Sequence, residues 1–110
     1  MQLIVEDDAE VLRRIARTPA WTAVTDPREA ASFLAELQRE LPSAHVLSGI
    51  QVKPIARRHD RDDLLLAVTG AREPLAVVHL TYAPAASNTE AFPWTRFYAS
   101  WEEWERDEQE

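Results

Sequence analysis

Between the second and third helical segments the hydrophobic period of this chain changes, and that change restricts the fold more than any other feature. Between Asp26 and Pro42 the apolar residues Ala30, Phe33, Leu34, Leu37 and Leu41 recur at helical spacing. Asp26 is a natural N-cap, Pro27 suits the first helical position, and Glu29 completes a capping-box arrangement. Further along, Leu64 to Thr69 is a continuous apolar run and Leu75 to Tyr82 has the composition of a strand. The joining segments, 58–63 and 70–74, are short and polar, as antiparallel connections tend to be. Helices first and hairpin-linked strands afterwards predict an α+β fold: an antiparallel sheet of three to four strands, covered on one face by helices.

Two further helices complete this expectation of two N-terminal helices and one C-terminal helix. The first is capped by Asp7 or Asp8, turns Val11, Leu12 and Ile15 to one side, and stops at Pro19. The last begins at Ser100, with Glu103 three residues on, and residues 105–110 are expected to fray as an acidic tail. Segment 45–57 contains Gly49 and Pro54, which predicts an edge or bulged strand, and Trp94 to Tyr98 supplies a fourth extended piece. Residues 84–90, small and polar, read as the most mobile internal loop. The 110 residues fit one domain, 1–110, with 45% hydrophobic residues to fill a core.

Composition excludes several chemistries. With no cysteine there is no disulfide, thiolate nucleophile or zinc–thiolate site, and two glycines cannot build a phosphate-cradling loop. A net charge of −7 opposes binding to nucleic acid, and the eleven arginines against a single lysine, Lys53, reflect coding bias rather than a basic patch. No apolar run approaches the ~20 residues of a membrane span, and Met1–Asp8 lacks the basic start of a secretory signal, so the expectation is a cytoplasmic protein. The charge is unevenly placed: Glu102 to Glu110 holds six acids and one base, Arg106, a local −5.

Candidate sites each have a plainer explanation. His59-Asp60-Arg61-Asp62-Asp63 gathers oxygen ligands but lacks calcium-loop spacing, and in a turn such acids bond their own backbone. His45, His59 and His79 share no ligand spacing, so no metal, cofactor or catalytic residue is assigned. Segment 92–104 holds three of the four tryptophans and six of the nine aromatics. It serves either as core packing or as an aromatic and arginine contact surface rimmed by acids.

Two resemblances bear on these readings. Leu3-Ile4-Val5-Glu6-Asp7-Asp8 resembles the start of a response-regulator receiver domain, but no aspartate lies between Asp26 and Asp60 to act as phosphoacceptor. The strand Val77-Val78-His79-Leu80-Thr81-Tyr82, followed by Trp94-Thr95-Arg96-Phe97-Tyr98 and Ser100-Trp101-Glu102-Glu103-Trp104, resembles a group of small uncharacterised bacterial proteins. Their pattern has a V-V-H-L-T-W strand, where this chain has Tyr82, and a W-P turn, where here Pro93 precedes Trp94. The likeness covers about thirty residues and implies a fold and a bacterial source rather than an activity.

The functional expectation is a non-enzymatic acidic binding protein, in its narrower form a bacterial immunity protein that neutralises a toxin. Its contact residues would be Trp94, Arg96, Tyr98, Trp101, Glu102, Glu103 and Glu105, facing a basic protein partner drawn in by long-range attraction. The alternative is a small-ligand binder or enzyme with a pocket near His79, Arg96 and Tyr98. A homodimer through the tryptophan face is a third possibility.

Overall fold

The computed structural model describes residues 8–70, 72–83 and 92–108. Helix α1 (Asp8–Ala16) leads to strand β1 (Trp21–Ala23) and helix α2 (Pro27–Glu40). Strands β2 (Val52–Arg58), β3 (Asp63–Val68), β4 (Leu75–His79) and β5 (Trp94–Tyr98) follow, and helix α3 (Trp101–Glu108) closes the chain. The expected loop at 84–90 and the cap at Asp7 lie outside the described residues.

The sheet is an antiparallel meander in sequence order, β1-β2-β3-β4-β5. It has five strands where three or four were expected, because β1 is only three residues long and shows no alternation to read. Gly49 sits in the turns before β2, and Pro54 is followed by a bulge, the register shifting between Pro54 and Ala56. The proline is tolerated because β1 pairs only with Ala56, Arg57 and Arg58, so no neighbouring strand of that side needs its missing N–H.

Helices lie on both faces of the sheet, not on one. Leu65, Leu75, Val77 and Tyr98 pack with Ile15 of α1 and with Trp101 and Trp104 of α3. Leu64, Leu66, Val78 and Leu80 turn the other way and pack with Leu37 of α2, Leu47 and Phe97. This is the physical reason that β3 and β4 read as unbroken apolar runs: both sides of each strand are dry. The antiparallel ladder also excludes the parallel sheet of a receiver domain.

Helix α2 follows its sequence signals closely. Asp26 Oδ1 accepts from the Arg28 N–H at 2.9 Å, Pro27 opens the helix, and Leu41 leaves it in extended geometry before Pro42. In α1, Ile15 is enclosed and Val11 packs beside the core, while Leu12, expected on the same face, is exposed. In α3, the Ser100 hydroxyl accepts from the Glu103 N–H at 3.1 Å and Glu103 accepts from the Ala99 N–H at 2.7 Å. The helix includes residues 105–108 of the segment expected to fray, and residues 109–110 lie outside the described residues.

Candidate functional site

The aromatic segment divides at β5. At its far end Tyr98, Trp101 and Trp104 are buried, and Trp104 is 0% exposed. Trp104 meets Trp21 and Trp101 edge to face, at 5.6 and 5.7 Å between ring centroids. The Tyr98 hydroxyl donates to Asp107 at 2.5 Å, and burial, then the bond to Asp107, hold its phenol well above the usual range.

The acids of α3 are matched by arginines brought in from distant parts of the chain. Arg14 lies 3.6 Å from Glu102 and 3.3 Å from Glu105, Arg17 3.7 Å from Glu105, Arg58 3.2 Å from Glu108, and Arg96 3.2 Å from Asp107. Arg14 and Arg96 also sit over the rings of Trp101 and Tyr98, at 5.6 and 5.2 Å. The local negative charge that stands out in the sequence is thus largely balanced in place. Partly exposed pairs of this kind add little stability each, but they tie α3 to α1, β2 and β5.

The beginning of β5 is different. Trp94 is 49% exposed, and so is Phe92. The chain therefore encloses three of its four tryptophans and leaves one out. A third apolar side chain, Val46, is 54% exposed and is brought there by its neighbour. His45 is buried, and its Nδ1 accepts from the Leu47 N–H at 3.0 Å, which leaves the proton on Nε2 to donate to the Pro93 carbonyl at 2.7 Å. The Phe92–Pro93 peptide is cis. One imidazole thus fastens the turns after α2 to the start of β5, and Val46, Phe92 and Trp94 are each one residue from an end of that bond. Contiguous exposed apolar groups mark interaction surfaces more often than scattered ones do.

Of the seven residues expected to contact a partner, Trp94, Arg96 and Glu102 present side chains to solvent. Tyr98 and Trp101 are enclosed in the core, and Glu103 and Glu105 are engaged in the cap and with Arg14 and Arg17. Sequence reasoning missed His45 and Val46, because nothing local marks a buried histidine in a turn.

The groups considered for a small-molecule pocket line neither of the two clefts described below. His79 Nδ1 sits 2.7 Å from Asp63, its partner in the register of β3 and β4, while Arg96 and Tyr98 both engage Asp107. Two clefts open elsewhere. One of about 220 Å³ lies between α2 and the β2–β3 turn, lined by Glu29, Phe33, Arg57, Arg61 and Tyr82 among others. The other, about 380 Å³, lies between residues 17–20 and the acids of α3. No group of three or more His, Asp or Glu side chains suited to a metal ion occurs among the described residues.

A second buried polar group fixes the far end of β4. Glu40, 0% exposed, accepts from the Thr81 N–H and hydroxyl at 2.7 and 2.9 Å and from the Tyr82 N–H at 2.7 Å. This anchors Tyr82 in the left-handed region, at φ 54°. Burial, followed by the hydrogen bond shared with Glu36, pushes the Glu40 carboxyl above its ordinary value. Glu36 accepts that bond and, helped by Arg39, is held below its own.

Compared with known protein families, curated proteins and solved structures, the chain matches none of them.

Proposed function

We propose that this chain is a non-enzymatic acidic protein-binding domain that docks through the apolar patch of Val46, Phe92 and Trp94. The observation that carries the reading is the exposed indole of Trp94 in a chain that buries every other tryptophan. Removing such a ring from water on contact supplies the kind of anchor that dominates protein interfaces. Arg96, half-exposed beside it in the same strand, is the other residue type enriched at such anchors. The net charge of −7 favours a basic partner through long-range attraction, even though the α3 acids have internal partners. A toxin-neutralising immunity protein is the narrower form of the same reading, and the charge and the patch both suit it.

The test compares immobilised wild-type chain with a Trp94→Ser variant, each exposed to cytosol of the native host. The expected outcome is a basic protein held by the wild type, released by high salt and absent from the variant column. Identical proteins on both columns would remove the patch from consideration.

A further inference from the structure

The backbone groups at the outer edge of β5 select one register for pairing with a second copy of the same strand. Between β3 and β4 the Val68 N–H donates to Pro74 and the Leu80 N–H to Asp62, both at the sum of residue numbers that defines the Leu66–Ala76 and Leu64–Val78 pairs. Residues 74, 76, 78 and 80 therefore turn their backbone groups toward β3, and 75, 77 and 79 turn theirs toward β5. Their partners Tyr98, Arg96 and Trp94 point back at β4, which leaves the N–H and C=O groups of Thr95 and Phe97 directed outward. Neither residue has a bonding partner for these groups among the described residues.

Both ends of this open edge are closed. Pro93 has no N–H, and its carbonyl accepts from His45 and from the Thr95 hydroxyl at 3.0 Å. At the other end the Ala99 N–H is taken by Glu103. Among the described residues two donors and two acceptors remain, on residues two apart. The last turn of helix α3 is held inward, by Trp21 and Arg58 from one side and by Arg96 and Tyr98 from the other.

We propose that two copies of this chain pair antiparallel through their β5 edges, with Thr95 of each opposite Phe97 of the other and the two Arg96 residues at the two-fold axis. This register alone uses all four free groups of each copy. Placing Thr95 opposite its own copy sets Phe97 against Pro93, which has no N–H; placing Phe97 opposite its own copy sets Thr95 against Ala99, whose N–H is taken. Charge is also complementary at the axis. Each Arg96 carries Asp107 at 3.2 Å on the same face, so pairing assembles an alternating quartet of two arginines and two aspartates rather than a bare pair of like charges. The two sheets become one of ten strands. In this register Trp94 of each copy stands opposite Tyr98 of the other, so pairing takes up part of the surface assigned above to a partner. The inference does not depend on that partner.

The chain has no cysteine, so single cysteines report the register without background. In an Arg96→Cys variant the two sulfurs face each other across a non-hydrogen-bonded pair, at a Cβ separation of about 4.5–5.5 Å, close to what a disulfide needs. The expected result is a disulfide-linked dimer on mild oxidation, and far slower linkage for Thr95→Cys, whose copies are offset by two residues. Equal linkage of both variants, or of neither, would overturn the register. Independently, sedimentation equilibrium from micromolar to near-millimolar concentration should show the wild type dimerising and Thr95→Pro monomeric. The proline removes an outward N–H and the hydroxyl bond to Pro93 but no bond of the β4–β5 ladder, so a folded variant is expected from circular dichroism. A wild type that stays monomeric throughout, or a folded Thr95→Pro that dimerises as the wild type does, would refute edge pairing.

Discussion

The two ends of β5 carry similar residues and meet opposite fates. At the end of the strand Tyr98, Trp101 and Trp104 are closed in by α1, α3 and Trp21, with the arginines of α1, β2 and β5 meeting the acids outside them. At its beginning Phe92 and Trp94 stand half in water beside Val46, held in place by a buried imidazole. The difference is made by what returns to cover each end. Helix α3 folds back over one, and among the described residues the short turn at His45 reaches the other. An aromatic cluster in sequence is therefore not one object: part of it is core, and the remainder is surface available for contact.

The comparison breaks first if the enclosed end is not a true core. Trp104→Ala removes a fully enclosed indole and should cost about 3–5 kcal/mol of unfolding free energy, enough to unfold much of the population. Chemical denaturation followed by circular dichroism measures this, and a loss under about 1 kcal/mol would contradict the packing.

Next in size is the Glu40 anchor. Glu40→Ala strips the acceptor from two backbone N–H groups and should cost about 2–3 kcal/mol. Its pH dependence has a definite sign. Because burial raises the Glu40 carboxyl in the fold, the folded state binds that proton more tightly than the unfolded chain does. Stability from this group therefore grows as pH falls from above its raised value toward the ordinary carboxylate range. The cost of Glu40→Ala should accordingly be larger near pH 5 than near pH 8. Denaturation at both values checks it, and a cost that rises with pH would reverse the assignment. Glu10 and Asp60, held low chiefly by bonds from Arg13 and Arg58, act the opposite way and weaken the fold only under stronger acid.

A smaller effect sharpens the role of α3. Trp21 Nε1 donates to Glu108 at 2.8 Å, so Trp21→Phe should lose about 1 kcal/mol beyond its change in volume. A Glu108→Gln variant in the otherwise unchanged chain keeps an acceptor for the Trp21 N–H and should retain much of that bond, measured again by denaturation.

How much of this was legible follows from what each signal depends on. Helix α2 was readable to its boundaries because cap, first-turn proline and apolar spacing are all local. The β3 and β4 strands were legible as strands, and their unbroken apolar runs already carried the two-sided burial, although the helices were expected on one face. Strand β1 was hidden by its length. Glu40 and His45 were hidden for another reason: a glutamate ending a helix and a histidine in a turn are ordinarily wet, and only the approach of Thr81 and Pro93, 41 and 48 residues away, makes them interior groups. The sequence alone likewise gave no means of separating Trp94 from Trp104, since each sits among aromatics, and burial is decided by the path of α3.

The most direct measurement is a triple variant, Val46→Ser, Phe92→Ser and Trp94→Ser, assayed together for unfolding and for retention of a basic partner. The account predicts an unfolding free energy within about 1 kcal/mol of wild type, because these side chains are already half in water, and complete loss of retention. A variant that unfolds as a core mutant would, or that still retains the same protein, would contradict the division of β5 into a closed end and a contact end.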